Sequence, residues 1–210
     1  AVILNVELDH VDYFKSMEHI YSSFGKFADI AGKVNGCVIY NADDENVEKS
    51  LEKFDGRKIG FSTQKSNAFV YAQNIDFNNG RPEFDVVLGG EAFCHVRLSV
   101  TGVHNVYNAL ATCAVAHLCG IGGEKIAEGL LAFEGADRRM EYKGNWLGAD
   151  VYDDYGHHPT EVKRTLEGAS HMGYNRVWCV FQPHTYSRTA GLFNELTASF
   201  SDVDKAIIAD

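Results

Sequence analysis

The chain has 210 residues, of which 45% are hydrophobic and 23% are charged, and its formal net charge at pH 7 is -10. This balance is typical of a globular protein and excludes the disordered and fibrous classes. The acidic charge argues against nonspecific binding to nucleic acid, which depends on a basic surface.

The cysteines indicate neither a zinc knuckle nor a set of disulfides, because the five of them contain no C-x-x-C pair and their number is odd. Free thiols in a reducing cytoplasm are the simpler interpretation. No run approaches the ~18 apolar residues of a membrane span, so we expect a cytoplasmic protein without membrane insertion. The chain begins and ends on strand-like runs, and we therefore expect a fragment of a longer protein.

The beginning of the chain predicts strands that alternate with helices. Residues 1–6 form a largely apolar run, typical of a strand covered on both faces. Apolar residues recur at helical spacing over residues 16–31. Short strands are predicted at 37–40 and 59–61, and between them a helix over 43–51 starts with acidic residues in its first turn.

The middle of the chain predicts an antiparallel meander followed by two helices. Three short runs have strand character: residues 69–71, 84–88 and 95–100. An Asn-Asn-Gly turn at 78–80 supports the meander. The helices are predicted over 104–118 and 124–133.

The last part of the chain predicts parallel βαβ units, because strands and helices alternate there. The predicted strands are residues 148–152, 176–181 and 205–209, and the predicted helices are residues 160–171 and 189–200. This change of pattern places a domain boundary near residues 135–142, with one domain over 1–137 and a second over 138–210.

Four polar clusters lie at strand ends, at helix starts or at the predicted boundary, where α/β proteins gather ligands. In the first, Glu7, Asp9 and His10 follow a strand and could hold a divalent metal beside a nucleotide. An ordinary polar loop is the alternative. In the second, Asn105 and Asn108 share a helix face and could bind a purine edge, unless Asn105 serves to cap the helix.

The third cluster contains Arg138 and Arg139, whose guanidinium groups suit phosphate or carboxylate. A salt bridge between the two domains is the competing interpretation. The fourth cluster, residues 153–158, packs two acids, a tyrosine and two histidines between a strand and Pro159, which fits a first helical turn. Its companion is the polar segment 181–189. Since consecutive parallel strands often lie adjacent, we expect both loops to face one cleft.

Several common motifs are missing from the sequence. It has no G-x-x-x-x-G-K-[ST] loop and no G-x-G-x-x-G, and the glycines at 120–123 match neither pattern. It also has no G-x-S-x-G or H-E-x-x-H. By its own motifs, the chain cannot cradle a triphosphate.

Taken together and in this order, the clusters resemble the Mur ligases of peptidoglycan synthesis. The most specific part is Asp-Asp-Tyr-Gly-His-His-Pro-Thr-Glu at 153–161 followed by Phe-Gln-Pro-His at 181–184. The resemblance implies an α/β fold in which part of a central ATPase domain, a mixed sheet with helices, occupies residues 1–137. Part of a C-terminal Rossmann-like domain occupies 138–210. The resemblance places the first residue of this chain after the family's P-loop, so we expect the fragment alone to be inactive.

Within the family, the likeness is strongest to the members that join L-alanine to the carboxylate of UDP-N-acetylmuramate. These enzymes use ATP and Mg²⁺ and form an acyl phosphate in the cytoplasm. The resemblance implies a metal site at His10 and ATP contacts at Asn105, Asn108, Arg139 and Asp154. It also implies an acceptor pocket lined by Tyr155, His157, His184 and Arg188, of which the last three are the candidate catalytic residues.

Three other functions fit parts of the sequence. A metal-dependent hydrolase would gather zinc or manganese with Asp153, Asp154, His157, His158 and His184. A noncatalytic nucleotide-binding module would account for the missing P-loop. A related Mur-type ligase would use the same segments with a different acceptor.

Overall fold

A computed structural model describes residues 1–209 of the protein. In its largest sheet, the strands lie side by side in the order in which they follow along the chain. Its strands are β1 (Val2–Ile3), β2 (Cys37–Asn41), β3 (Arg57–Ser62), β4 (Val70–Asn78), β5 (Arg81–Leu88) and β6 (Glu91–Arg97). Strands β1 to β4 pair in parallel, and β4 to β6 pair antiparallel. The predicted mixed sheet and its meander are therefore confirmed.

Four helices cover this sheet: α1 (Met17–Lys33), α2 (Glu45–Ser50), α3 (Val103–Leu118) and α4 (Gly123–Ala132). Side chains alternate between the two faces of a strand. In β2, Val38 accordingly packs in a cluster with α1 and α2, whereas the next residue, Ile39, packs in a cluster with α3. The sheet thus lies between two helical layers, each with its own core.

Local capping explains where the first helices begin. The Ser16 side chain accepts from the backbone N–H of His19 at the start of α1. The Asp44 carboxylate accepts from the N–H groups of Asn46 and Val47, so α2 begins directly after the acidic pair that predicts a helix start. In the α3 core, Phe61, Phe84 and Leu110 are fully buried. Each such side chain contributes roughly 1.5–3 kcal/mol by its burial.

The strand predicted over residues 1–6 is wrong in length and in burial. Only Val2–Ile3 pairs, and in the described part of the chain its one neighbour is β2. Ile3 is buried, but Val2 and Leu4 are 41% and 39% exposed. Ile3 meets the core on one face of the strand, and Val2 and Leu4 line an apolar cleft beside α3 with Ala111 and Val115.

The later elements form a hairpin and a small parallel sheet. They are β7 (Glu141–Trp146), β8 (Ala149–Asp153), α5 (Pro159–Ser170), β9 (Trp178–Phe181), α6 (Tyr186–Gly191), α7 (Phe193–Ala198) and β10 (Lys205–Ile208). Strands β9 and β10 pair in parallel, as the alternating pattern predicts. Pro159 starts α5, and its predicted place in the first turn is confirmed.

Strand β8 does not join β9, so the expectation that these two strands lie adjacent is wrong. It pairs antiparallel with β7, a strand that the sequence pattern missed. A turn with positive φ at Leu147 (52°) and Gly148 (87°) closes this hairpin. A cavity of about 650 Å³ lies between β8 and β9, with Tyr152, Leu166 and Phe181 among its lining residues.

The helix predicted over residues 189–200 is two helices. Leu192 has a φ of -122° and ends α6 before α7 begins. Apolar residues recur at helical spacing through both helices, so the sequence pattern predicts one continuous helix and does not show the break at Leu192. None of the helices within residues 1–209 has the length and apolar character that a membrane span requires.

Candidate functional site

The loop after β1 contacts both polar loops of the later part of the chain. Thr160 Oγ1 donates to Glu7 Oε2 at 2.5 Å, and Arg188 Nε donates to Asp9 Oδ1 at 3.1 Å. His158 Nε2 lies 3.2 Å from the carbonyl oxygen of Leu8. Residues 7–9 therefore bring the two loops to one place, although the strands that carry the loops do not pair.

The carboxylate of Asp9 is committed to its arginine partner. Burial works to raise the pKa of Asp9, but hydrogen bonds from the His10 backbone and from Arg188 outweigh it, and the pKa lies below its ordinary value. Asp9 therefore stays ionised and paired at neutral pH. The loop after β1 therefore makes specific contacts with the later part of the chain, which an ordinary polar loop would not require.

His10 lies at the outer edge of the same loop. Its side chain is 72% exposed, and Nε2 is 3.7 Å from Asp9 Oδ2. The backbone at His10 has a φ of 51°, in the left-handed region that few residues other than glycine adopt. Within residues 1–209, no three His, Cys, Asp or Glu side chains are grouped so that they could hold a metal. His10 can thus offer a single ligand.

The two asparagines of α3 share one face, as predicted. Asn108 Nδ2 donates to Asn105 Oδ1 at 3.0 Å, and Asn105 Nδ2 donates to the carbonyl of Thr101 at 2.7 Å. The alternative interpretation of Asn105 as the helix cap is wrong, because Gly102 holds the cap position and no side chain caps this end. The pair presents one ordered amide face.

His104, which the sequence interpretation did not single out, lies beside this amide face. Its Nδ1 is buried and has no hydrogen-bond partner among the described residues. Burial is the largest influence on the His104 imidazole and lowers its pKa, while the Asp154 carboxylate acts in the opposite direction. The backbone at Gly102 has a φ of 91°, and a side chain added there would come within 2.7 Å of His104 Cε1. The position of His104 next to Asn105 was the available signal.

The adjacent arginines pair within their own segment. Arg138 Nε lies 3.2 Å from Asp153 Oδ2, and its guanidinium carbon is 4.8 Å from the centre of the Tyr155 ring. Arg139 Nη2 lies 3.2 Å from Glu161 Oε1. Neither pair crosses the predicted boundary, so the interpretation as an interdomain salt bridge is wrong. Both arginines are half-exposed, and such pairs are weak enough to yield to an anionic ligand.

Asp154 shapes the loop at 153–158. Its carboxylate accepts from the backbone N–H groups of Met140 (3.0 Å) and Gly156 (2.7 Å). Tyr155 is half-exposed, and its ring meets the His157 ring edge-on with 5.1 Å between centroids. His157 Nδ1 lies 2.9 Å from the Tyr155 carbonyl oxygen. The two candidate acceptor residues of this loop are therefore side by side.

Glu161 fixes the end of the same loop. Its carboxylate accepts from the N–H groups of His157 and His158, and the His158 side chain completes a capping box for α5. Burial works to raise the pKa of Glu161, but these two hydrogen bonds and the charge of Arg139 outweigh it and lower the pKa. The start of α5 is thus tightly defined.

The remaining candidates lie on the second loop. Arg188 is half-buried against Asp9, and its Nη1 is 3.5 Å from Thr185 Oγ1. His184 is exposed. Thr185 has a φ of 68°, a strained value for a β-branched residue, immediately before α6.

The ligand set of a metal-dependent hydrolase does not converge. Asp153 pairs with Arg138, Asp154 accepts from backbone N–H groups, and His158 turns toward Leu8 and Glu7. Each of these side chains serves a different partner. This geometry does not favour the hydrolase.

Comparison with known families gives two matches along the chain. The model of the Mur ligase middle domain matches residues 1–116, and the model of the Mur ligase glutamate ligase domain matches residues 138–210. The exact division into 1–137 and 138–210 stays a prediction.

Curated relatives match the whole chain but are about twice as long. The UDP-N-acetylmuramate–L-alanine ligases of Acetivibrio thermocellus and Clostridium novyi are each 44% identical to it. In both cases the match covers 100% of this chain and 45% of the relative. The chain therefore spans less than half the length of these proteins.

Solved structures share the fold over almost the whole chain. UDP-N-acetylmuramate-alanine ligase MurC from Thermotoga maritima has a TM-score of 0.77 at 24% identity, covering 99% of this chain and 44% of that one. MurF from Acinetobacter baumannii has a TM-score of 0.78 at 19% identity, covering 99% and 49%. At these identities the likeness establishes the fold.

Proposed function

The chain belongs to the Mur ligase family, and from this premise we propose that it is part of an ATP-dependent ligase that joins L-alanine to UDP-N-acetylmuramate. The observation that carries the proposal is the meeting of three loops at residues 7–9, through Thr160 and Arg188. The likeness of the whole chain to L-alanine ligases supports the choice of substrates.

In the proposed reaction, the muramoyl carboxylate takes the terminal phosphoryl group of ATP and becomes an acyl phosphate, and ADP is formed. The amine of L-alanine then attacks the acyl carbon, and phosphate leaves with the bonding electron pair. A free carboxylate is a poor electrophile until it is phosphorylated. The protein must therefore supply positioning and charge neutralisation.

Nucleotide binding is proposed for the face that joins α3 to the 153–158 loop. The amides of Asn105 and Asn108 lie together and can exchange hydrogen bonds with a purine edge. Arg139 can leave Glu161 to neutralise phosphate, since it is half-exposed. Asp154 is proposed to lie near the ribose.

The acceptor pocket is proposed to be lined by Tyr155, His157, His184 and Arg188. Tyr155 and His157 already contact each other, and Arg188 is held by Asp9. The Arg188 guanidinium would pair with and neutralise the carboxylate or the acyl phosphate. His157 and His184 are the candidates for moving the proton of the attacking amine.

The described residues do not make a metal site of their own, because no three potential ligands are grouped within 1–209. His10 is proposed as one protein ligand for Mg²⁺. This ion commonly takes few protein ligands and completes its shell with phosphate oxygens and water. When bound, it would neutralise phosphate charge.

We expect the activity in a longer polypeptide that adds a P-loop to these residues, since this sequence has none and the relatives are about twice as long. The chain alone is expected to be inactive. The proposed partners are small molecules in the cytoplasm, and neither nucleic acid nor a membrane is required.

The test is an ADP-release assay on that longer polypeptide. ADP and the L-alanyl product should form only when ATP, UDP-N-acetylmuramate and L-alanine are all present. A panel with glycine, L-serine and a peptide in place of L-alanine tests the related ligases. ADP release without the muramate, or preference for another acceptor, would overturn the proposal.

A further inference from the structure

We propose that Glu7 is a positioning residue, which holds the acceptor loop at 153–160 against the loop that carries His10. This inference rests on the proposed function, since it assigns Glu7 a place in that reaction. Glu7 lies two residues from Asp9 and three from His10. The sequence groups it with them only as a candidate metal ligand.

Glu7 and Leu8 receive three contacts from the start of α5, and Asn5 Nδ2 also donates to Glu7 Oε1 at 3.0 Å. Thr160 Oγ1 donates to Glu7 Oε2 at 2.5 Å across 153 positions of sequence. His158 Nδ1 lies 3.5 Å from the same carboxylate oxygen, and His158 Nε2 lies 3.2 Å from the Leu8 carbonyl. His158 Nδ1 also accepts from the Thr160 N–H at 3.4 Å, so the imidazole lies between Glu7 and the first turn of α5, with Nε2 directed at the Leu8 carbonyl.

The contact is buried on the His158 side, whereas Thr160 on its other side is exposed. The side chain of His158 is 10% exposed and that of Glu7 is 31% exposed. A short hydrogen bond from a hydroxyl to a carboxylate is stronger than one between neutral groups. The carboxylate also lies at the first turn of α5, where the helix dipole favours a negative charge.

The acceptor loop has little freedom once α5 is fixed. His158 caps α5, Pro159 occupies its first turn, and Glu161 binds the N–H groups of His157 and His158. Tyr155 and His157 lie immediately before this cap. Anchoring Thr160 to Glu7 therefore sets where both candidate acceptor residues stand relative to residues 7–10.

The expected effect is selective. Loss of the hydrogen bond between Thr160 and Glu7 should loosen the acceptor loop and weaken the binding of L-alanine. The amides of Asn105 and Asn108 on α3 should keep their mutual hydrogen bond. Removal of a hydrogen bond to a charged group corresponds to roughly a tenfold loss of affinity. We expect the KM for L-alanine to rise by about that factor in E7A and in T160V, with the KM for ATP within about twofold.

The experiment is a double-mutant cycle on the complete ligase with E7A, T160V and the double variant, which together isolate the coupling of the two side chains. T160S keeps the hydroxyl and should restore the wild-type KM for L-alanine. E167Q serves as the matched control, because it removes the exposed pair with Arg164 on the same helix. It should leave both KM values unchanged.

Hydrogen exchange of the 210-residue chain provides a readout that needs no activity. E7A and T160V should each raise the exchange of the amides of residues 155–158 and 160 several-fold, and the double variant should add nothing further. Additive effects in the cycle, an equal rise in the KM for ATP, or no change in exchange would each overturn the role of Glu7. A wild-type ligase without activity would instead overturn the proposed function, and the exchange data would still test the anchor.

Discussion

Arg188 Nε donates to Asp9 Oδ1 at 3.1 Å across 179 positions of sequence. The pair ties the second polar loop to the loop after β1, and the Arg188 and Asp9 side chains are 14% and 27% exposed. A charge pair of this kind depends on the ionised carboxylate, so its contribution to stability must depend on pH.

Asp9→Asn should destabilise the chain at neutral pH and make little difference in acid. The folded-state pKa of Asp9 lies below its ordinary value. The stability from the pair is therefore fully present above the unfolded pKa of about 3.9 and is lost as pH falls through the folded pKa. Urea unfolding at pH 7 and near pH 3 checks this.

The matched control for this prediction is Asp55→Asn, at an exposed position between α2 and β3. It should change the urea midpoint little at either pH. A wild-type advantage over Asp9→Asn that is the same at both pH values would contradict the assignment.

Asn108→Ala should weaken ATP binding selectively. The substitution removes an amide that can reach the nucleotide and the hydrogen bond to Asn105 Oδ1. We expect the KM for ATP in the complete ligase to rise roughly three- to tenfold, the range for one neutral hydrogen bond. The KM for L-alanine should stay near wild type.

Thr112→Val is the control one turn along the same helix, because the Thr112 hydroxyl already donates to the Asn108 carbonyl. It should leave the KM for ATP unchanged. An equal effect of the two substitutions would point to the helix rather than to the amide.

His104 should be neutral in the folded chain at neutral pH, since burial lowers its pKa. The unfolded chain then binds more protons below the ordinary pKa of about 6.5, so stability from neutral His104 is present above that value and declines below it. The wild-type advantage over His104→Gln should shrink between about pH 7.5 and pH 5.5.

Urea unfolding of the two proteins at each pH measures this advantage as a difference in unfolding free energy. Contributions of the other histidines, which both proteins share, cancel in that difference. NMR titration of the imidazole provides a direct check. A His104 that titrates at or above its ordinary pKa would refute the prediction.

Leu110→Ala should cost the chain roughly 2–5 kcal/mol of unfolding free energy, because it leaves a cavity in the core below α3. Leu110 is fully buried in the α3 core. Leu118→Ala, at the exposed end of the same helix, should cost about 1 kcal/mol or less. Equal losses in urea unfolding would show that α3 does not anchor this core.

Patterns local in sequence account for most of the elements. The acidic pair at 43–44 predicted a helix start, and α2 begins at the next residue, with Asp44 as its cap. Strand β7 escaped detection because its mixed polar and aromatic residues are mostly exposed and show no clean alternation. Its pairing with β8 depends on the turn at Leu147 and Gly148, which lies outside both strands.

The site could be predicted only in part, for the same reason. The shared face of Asn105 and Asn108 follows from helical spacing, and the structure confirms it. The contact of Glu7 with Thr160 joins residues 153 positions apart. No periodicity reports such a contact, since it depends on how the two halves of the chain pack.

The conformation at Gly102 limits how residues 101–109 can be redesigned. Its positive φ already disfavours any side chain, and an added Cβ would displace the imidazole of His104. An alanine scan would therefore report at this one position the combined loss of a backbone turn and of a neighbouring ring. A randomised library selected for activity should return glycine there, even where every flanking codon varies.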